Sequence, residues 1–418
     1  MATETALVDV GVLFGAVALA GLVANRIDQS VIPFYILVGM GLGPHVLGRL
    51  DFPALLGTDA VPHGSSLALA ETDFVALGAE LGIVFLLLFL GLEFNVDRLL
   101  AARDRIGRAG VVDLVVNFGV GLVVGYALFR AFLPAFLVAG VVYISSSAII
   151  TKSLIDLGWI ANDEANPMLG TLVFEDLVIA VYLSIAAALV LGGGSVGEAA
   201  RSIGLAMAFL LGLSLLVYFG TALFQRSLDT DSNEFVVLRA VGITALIAGG
   251  ALALGVSEAV AAFFVGMAFS STDHVHELER LLEPVRDTFA AVFFFWIGLV
   301  TDPTLFAGVA SLVAIAALVT TPTKLASGYL GGRIYDLDAR RSTRVALGMV
   351  TRGEFSLIIA SIALTGAGEG LPEDVANTIY AFAVGYVLVM SILGTSLMQY
   401  SSPIESRVVP WLESDGTV

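Results

Sequence analysis

The sequence predicts an all-α polytopic membrane protein of about thirteen transmembrane helices, and three observations carry that prediction. Of 418 residues, 58% are hydrophobic and only 14% are charged, where a soluble chain carries roughly a quarter. Apolar runs of about 20 residues, the length that spans a bilayer, follow one another almost without pause. Strict alternation over segments of about ten residues is missing, so a transmembrane barrel is not supported. Each span must then satisfy its backbone within a helix.

Hydropathy places the spans near 6–24, 31–48, 73–93, 106–131, 134–154, 167–191, 201–224, 234–254, 257–271, 287–300, 303–331, 341–366 and 376–400. The first, Leu7 to Ala24, follows an uncharged start and reads as a mature helix and not as a cleaved signal. Basic residues fall in alternate loops. One set holds Arg26, Arg98, Arg103, Arg105, Arg108, Lys152, Arg226, Arg239, Arg280, Arg286, Arg333, Arg340, Arg341, Arg344 and Arg407, and the other only Arg49, Arg130 and Arg201. The positive-inside rule makes the rich side cytoplasmic, which puts the N-terminus outside and the C-terminus inside. An odd number of spans is what keeps this alternation in register.

The charge balance excludes other classes. With 20 Lys+Arg against 37 Asp+Glu the chain has a formal charge of −17, the wrong sign for a nucleic-acid partner. There is no Cys, so thiolate metal sites and thiol nucleophiles are excluded. Lys152 and Lys324 are the only lysines, and loops such as Asp229, Asp231 and Glu234, or Glu369, Glu373 and Asp374, are acidic. A salt-rich cytoplasm favours such a surface, which points to a halophilic prokaryote, although acidic loops have other causes.

Five charges cannot be assigned to loops: Glu175 and Asp176 in LGTLVFEDLVIAV, Lys324 in ALVTTPTKLASGYL, and Arg352 with Glu354 in GMVTRGEFSLIIA. Ionisable groups at membrane depth are costly and mark ion or proton pathways. At 1.5 Å per residue, Asp176 lies about 13 Å from the inner end of its span, Lys324 about 10 Å and Arg352 about 16 Å. These depths agree within roughly 5 Å, so the groups share one layer. A structural ion pair is the simpler reading, but it would need one acid only. Glu175 and Asp176 project about 100° apart, so one is expected against Lys324 while the other faces a water-filled cavity and takes up a proton or a cation.

Two spans look interrupted. Ile144-Ser145-Ser146-Ser147-Ala148 puts three hydroxyls into one, and Thr351-Arg352-Gly353-Glu354 puts charge and Gly into another. Such segments suit unwound backbone near the midplane, although serines in membrane helices often bond back to their own carbonyls. The two lie seven spans apart and so run in opposite directions, as an inverted repeat requires. Spans 1–6 and 8–13 then form the repeats, pairing span 5 with span 12 and span 4 with the Lys324 span. Glu80 and Asp113 read as interfacial or capped. Gly39, Gly41 and Gly43 are spaced for close helix approach. His45, His63, His274 and His276 read as solvated loop residues, and Phe293-Phe294-Phe295-Trp296 as lipid-facing or interhelical packing.

These motifs, taken in order, resemble the monovalent cation:proton antiporter-2 family, which includes Kef-type potassium efflux systems and bacterial sodium/proton antiporters. The resemblance covers nearly the whole chain through IPFYILVGMGLGPHVLG, LGIVFLLLFLGLEF, SSSAII, FEDL, AFFVGMAFS, LLEPVRDTFAAVFFFWIGL and TRGEFSLIIA. It implies the sodium/proton antiporter fold with two crossing interrupted helices, and a homodimer. Residues 1–400 would form a single transporter unit, with a dimerisation side over approximately 6–93 and 234–300 and a transport core over approximately 106–191 and 303–400. Residues 201–224 would be a linker helix and 401–418 a short cytoplasmic tail. Asp176 matches the family's cation- and proton-binding aspartate, Glu175 the variable position before it, and Ser146 and Ser147 the polar positions of the first break. Lys324 matches the family's basic residue, with Arg352 and Glu354 as charge-compensating or gating groups. The sequence has Glu-Asp where electrogenic sodium antiporters have Asp-Asp and other members Gln-Asp or Asn-Asp.

The function expected is exchange of Na⁺ or K⁺ for H⁺ across the plasma membrane, serving pH homeostasis, with cation and proton competing for a mid-membrane carboxylate and with no cofactor or permanent metal. A proton-translocating subunit of a respiratory complex and the membrane part of a Kef-type system are the alternatives. The roughly 18 residues after Tyr400 are short for an appended nucleotide-binding domain. An intramembrane hydrolase is disfavoured because no His lies mid-span to serve a serine, so the chain is read as a transporter and not an enzyme.

Overall fold

The computed structural model describes residues 2–27, 29–49, 68–93, 96–159, 162–191, 204, 208–209, 211–213, 215, 219–220, 222–230, 232–253 and 258–414. The expected linker helix at 201–224 and His63 therefore lie largely or wholly outside the described residues. The described elements are α1 (Ala2–Arg26), α2 (Val31–Leu42), α3 (Asp73–Glu93), α4 (Val96–Phe129), α5 (Phe132–Tyr143), α6 (Ser147–Asp156), α7 (Ala165–Leu191), α8 (Asn233–Ala253), α9 (Glu258–Ser270), α10 (Val275–Val300), α11 (Leu305–Ile334), α12 (Ala339–Gly348), α13 (Glu354–Thr365), α14 (Glu373–Gln399) and α15 (Ser401–Ser414). Eight of the apolar stretches are long enough to cross a membrane, and α5, α9 and α13 are shorter apolar helices. This is an all-helical polytopic membrane protein whose helices follow the expected order of spans.

Two helices are longer than hydropathy predicts. The 34-residue α4 starts ten residues before the apolar run, through a segment carrying Arg103, Asp104, Arg105 and Arg108. The 26-residue α10 starts twelve residues early, through VHELERLLEPVR. Both extensions have helix-forming charged faces that water solvates, so they add turns without adding membrane span.

The helices sort into two packed sets. In one, α3 packs on α9 and α10, α2 on α10 and α1, and α8 on α9; in the other, α4 packs on α5, α7 and α11, α11 on α12 and α14, and α13 on α14 and α5. Between the sets the main packed pairs are α2 with α14 and α7 with α9. Close approach within the first set depends on small residues. A side chain at Gly39 of α2 would strike the Phe295 carbonyl of α10, and one at Gly298 would strike the Ile36 carbonyl in return. Gly43 meets α10 in the same way at the Leu299 carbonyl, while Gly41 has open space. Phe293, Phe294 and Phe295 are at most 5% exposed, so that aromatic run packs between helices and not against lipid.

Both interruptions are real. The first apolar half-helix α5 ends at Tyr143, and Ile144 is already extended (φ −71°, ψ 131°). Ser146 Oγ then accepts the Ile149 N–H at 3.3 Å and caps α6, so here serine starts a new helix at its N-terminus instead of bonding back to its own. The second half-helix, α12, ends at Gly348, and α13 begins at Glu354. Where the breaks cross, a Cβ at Gly353 would lie 2.8 Å from Ser146 Cβ. Gly353 is required there by proximity.

Candidate functional site

A broken helix exposes carbonyls at the C-terminal end of its first half and N–H groups at the N-terminal start of its second. Aligned peptide dipoles make the first negative and the second positive. The crossing answers each with a buried charge. Arg352, with no exposed surface, donates through Nε to the Val142 carbonyl at the end of α5 (3.0 Å). Its Nη1 donates to the carbonyls of Met349, Val350 and Thr351 after α12 (3.2, 2.9 and 2.9 Å). Glu354, 4% exposed, opens α13 and accepts Ser146 Oγ at 2.7 Å and Ser147 Oγ at 3.1 Å from the start of α6. The cation thus sits on the two C-terminal ends and the carboxylate on the two N-terminal ends. Ser356 Oγ adds a bond to the Val141 carbonyl at 2.7 Å.

Lys324 from α11 stands beside this crossing, also without exposed surface. Its ammonium donates three hydrogen bonds, to Asp113 Oδ2 (2.7 Å), Glu175 Oε1 (2.7 Å) and the Tyr143 carbonyl (3.1 Å). The Tyr143 ring lies 5.4 Å away, close enough for a cation–π contact. Glu175 is also held by the Ser145 N–H (2.7 Å, to Oε2) and Ser145 Oγ (3.0 Å, to Oε1). Asp113 Oδ1 accepts Ser327 Oγ at 2.7 Å and Asn117 Nδ2 at 2.9 Å. Burying three charges is tolerable only when each is paired and its remaining positions are hydrogen-bonded, and here they are. Asp176 follows Glu175 on α7, keeps 5% exposure, and lies within electrostatic reach of Tyr143 together with Glu175 and Asp113.

All seven residues singled out in the sequence therefore come to one crossing or its border. Glu175 is the acid held against Lys324. Ser146 and Ser147 engage Glu354. Asp113, Asn117, Ser145, Tyr143 and Ser327 also belong to the site; the sequence reading took Asp113 as interfacial or capped, named Ser145 only as part of the break, and passed over the other three. Asp113 looked interfacial because it lies only about two turns inside the apolar run; its 2% exposure and its bond from Lys324 place it in the site. The pairing of span 4 with the Lys324 span was the signal that pointed to it.

A family model described as "Sodium/hydrogen exchanger, transmembrane" matches residues 14–400. The chain belongs to that family. The exchanger is 35% identical over 409 residues to the K(+)/H(+) antiporter subunit KhtU of Bacillus subtilis (strain 168), covering 96% of each chain. It is 30% identical over 345 residues to the Ammonium/H(+) antiporter subunit AmhT of Alkalihalophilus pseudofirmus, covering 81% of this chain and 84% of that one. Its fold is similar to that of the sodium proton antiporter MjNhaP1 from Methanocaldococcus jannaschii, with a TM-score of 0.68 at 15% identity over 96% of this chain and 99% of that one.

A second ionic cluster ties α15 of the exchanger to α12. Glu405 of α15, 2% exposed, accepts Arg340 Nε (2.6 Å) and Arg344 Nε (2.8 Å) from α12. Arg344 also donates to Glu164 at 2.7 Å, just before α7, and lies over the Trp159 ring, while Arg341 pairs with Asp163. Burial pushes the Glu405 carboxyl up, but the hydrogen bonds and charges of Arg344 and Arg340 outweigh it and hold the group below the usual carboxylate range. At the opposite end Arg49 and His45 lie 2.7 and 3.7 Å from Asp302. His274 and His276 pair with Glu277 and Glu279.

Proposed function

We propose that this exchanger carries Na⁺ or K⁺ against H⁺ by alternating access, with Asp176 as the carboxylate for which cation and proton compete. The exchanger family and its K(+)/H(+) antiporter relative support the class of reaction. The observation that carries the residue assignment is the occupation of Glu175. Its oxygens take Lys324, Ser145 Oγ and the Ser145 N–H, which makes Glu175 the acid that anchors the lysine, while Asp176 on the same buried turn keeps 5% exposure against none for Glu175 and is the acid a cation or proton would reach. Protonated, Asp176 cannot hold a hard cation; with a cation bound, it disfavours the proton. Oxygen donors of the unwound 144–146 segment suit a monovalent ion without any resident metal.

The half-helix charges serve the same cycle. Arg352 and Glu354 fix the unwound backbone, so the crossing moves as a body and does not rewind. The set containing α4–α7 and α11–α14 is the moving core, and the set containing α1–α3 and α8–α10 is the static side that pairs with a second copy. The molecule sits in the plasma membrane with its basic loops and C-terminus in the cytoplasm, and the acidic surface suits a halophilic prokaryote. In proteoliposomes with an imposed acidic interior, addition of Na⁺ or K⁺ outside is expected to dissipate the pH gradient, read by a pH-sensitive dye. A gradient unmoved by either ion would overturn the reading.

A further inference from the structure

Alternating access requires the two helix sets to move past one another, and a buried hydrogen bond between α14 of the core and α10 of the static side stands in the way. The last turn of α10 supplies its acceptor. The Thr301 N–H bonds to the Gly298 carbonyl at 3.0 Å, a step that tightens the helix end and leaves the Ile297 carbonyl to side-chain donors. Tyr380 Oη of α14 donates to that carbonyl at 2.9 Å. Thr301 Oγ1 donates to it as well and stands 3.5 Å from the Tyr380 oxygen. Tyr380 and Thr301 are 4% and 1% exposed, so the bond is made away from water. Each end is held by its own set. Trp296 Nε1, beside Ile297, donates to Glu71 Oε1 just before α3 at 2.9 Å, and Gly298 packs against the Ile36 carbonyl of α2. On the core side, Tyr386 of α14 shares a hydrogen bond with Thr320 of α11 at 2.6 Å, and a Cβ at Gly394 would lie 2.7 Å from the Thr351 nitrogen in the second interruption. The α14 helix is thus tied to the crossing, and α10 is tied to α2 and α3.

We propose that the hydrogen bond from Tyr380 to Ile297 is an outer latch, which holds the core against the static side in the state closed to the outside and opens each time the ion site turns outward. The inference rests on the antiport reading above and on its orientation, in which α10 ends and α14 begins at the outer face. Tyr380 lies two turns into α14, about 10 Å along it. It acts through the position of the core and is a positioning residue. Loss of one net hydrogen bond shifts a two-state equilibrium about two- to tenfold. Such a bond biases which side the site faces without jamming the cycle. Tyr380→Phe isolates this effect, because the ring still fills its buried place and Thr301 still satisfies the Ile297 carbonyl. A hydroxyl with a merely structural role would change stability and leave the balance between inward and outward states where it was.

The test uses the whole exchanger, which has no cysteine of its own, with Val384→Cys as reporter. Val384 has no exposed surface and lies one turn below Tyr380 on the same face of α14. Right-side-out and inside-out membrane vesicles are treated with a membrane-impermeant maleimide, and labelling rates are normalised to the denatured protein. Adding Tyr380→Phe is expected to raise the rate about two- to tenfold in right-side-out vesicles and not in inside-out ones. Tyr386→Phe, which removes a hydroxyl bond within the core, is expected to leave it unchanged. Without the reporter, Tyr380→Phe is expected to lower the apparent KM for Na⁺ or K⁺ on the outer side by a similar factor, because a larger fraction of molecules then faces outward. An outer KM unchanged by Tyr380→Phe would overturn the latch while leaving antiport standing. So would equal labelling with and without it, a rise in inside-out vesicles, or a rise that Tyr386→Phe reproduces. Absence of exchange in the wild type, with the labelling shift present, would overturn the antiport reading and leave the bond as a conformational latch. The KM comparison decides the matter even where Val384→Cys fails to fold.

Discussion

Asp176→Asn is expected to abolish cation/proton exchange, leaving the rate in proteoliposomes at the protein-free background. The substitution keeps the shape and removes both the charge that holds a cation and the site that takes a proton. Glu175 cannot take over, because its two oxygens are bound to Lys324 and to the Ser145 hydroxyl and N–H. The protein itself is expected to stay folded, since the substitution keeps the side chain's shape and removes a buried charge, and thermal unfolding in detergent should fall close to the wild-type temperature. Wild-type exchange in this variant would move the ion site elsewhere.

Lys324→Met is expected to differ from Asp176→Asn in stability. It leaves Asp113 and Glu175, at 2% and 0% exposure, facing one another with no cation between them. Removing one partner from a buried ionic group costs about 3–5 kcal/mol, because the remaining charge is stranded without water. A marked loss of thermal stability is therefore expected along with loss of transport. Adding Asp113→Asn to Lys324→Met removes one of the stranded charges. The double variant should recover part of the stability, with a coupling of about 0.5–3 kcal/mol between the two sites. A Lys324→Met protein as stable as the wild type would contradict the buried pairing of Lys324 with Asp113 and Glu175.

What was legible in the sequence follows from the solvent. In a bilayer a charged group is costly wherever it is not used, so Glu175, Asp176, Lys324, Arg352 and Glu354 stood out against an apolar background, and depth arithmetic alone brought them to one layer. The interruptions were legible for a related reason, since three consecutive serines and a charged Arg-Gly-Glu are poor membrane helix. Asp113 was not legible, because hydropathy gives its distance from the end of the apolar run and not the face of α4 on which the α11 lysine packs. The division of labour among the serines was also hidden. Spacing cannot distinguish Ser145, which binds Glu175, from Ser146 and Ser147, which bind Glu354, until the half-helices cross. Nor could composition show that the residues after Tyr400 form α15, whose Glu405 is clasped by two arginines of α12.

The central claim is that proton and cation compete for one carboxylate. The measurement that tests it most directly is the apparent KM for Na⁺ and for K⁺ across a pH series at fixed pH gradient. Mutual exclusion at Asp176 predicts that KM rises as pH falls, approaching about tenfold per pH unit below the carboxyl's own titration and levelling above it, with the maximal rate little changed, as reciprocal linkage requires. A KM that stays constant with pH while the maximal rate changes would place proton and cation on separate groups and contradict the account.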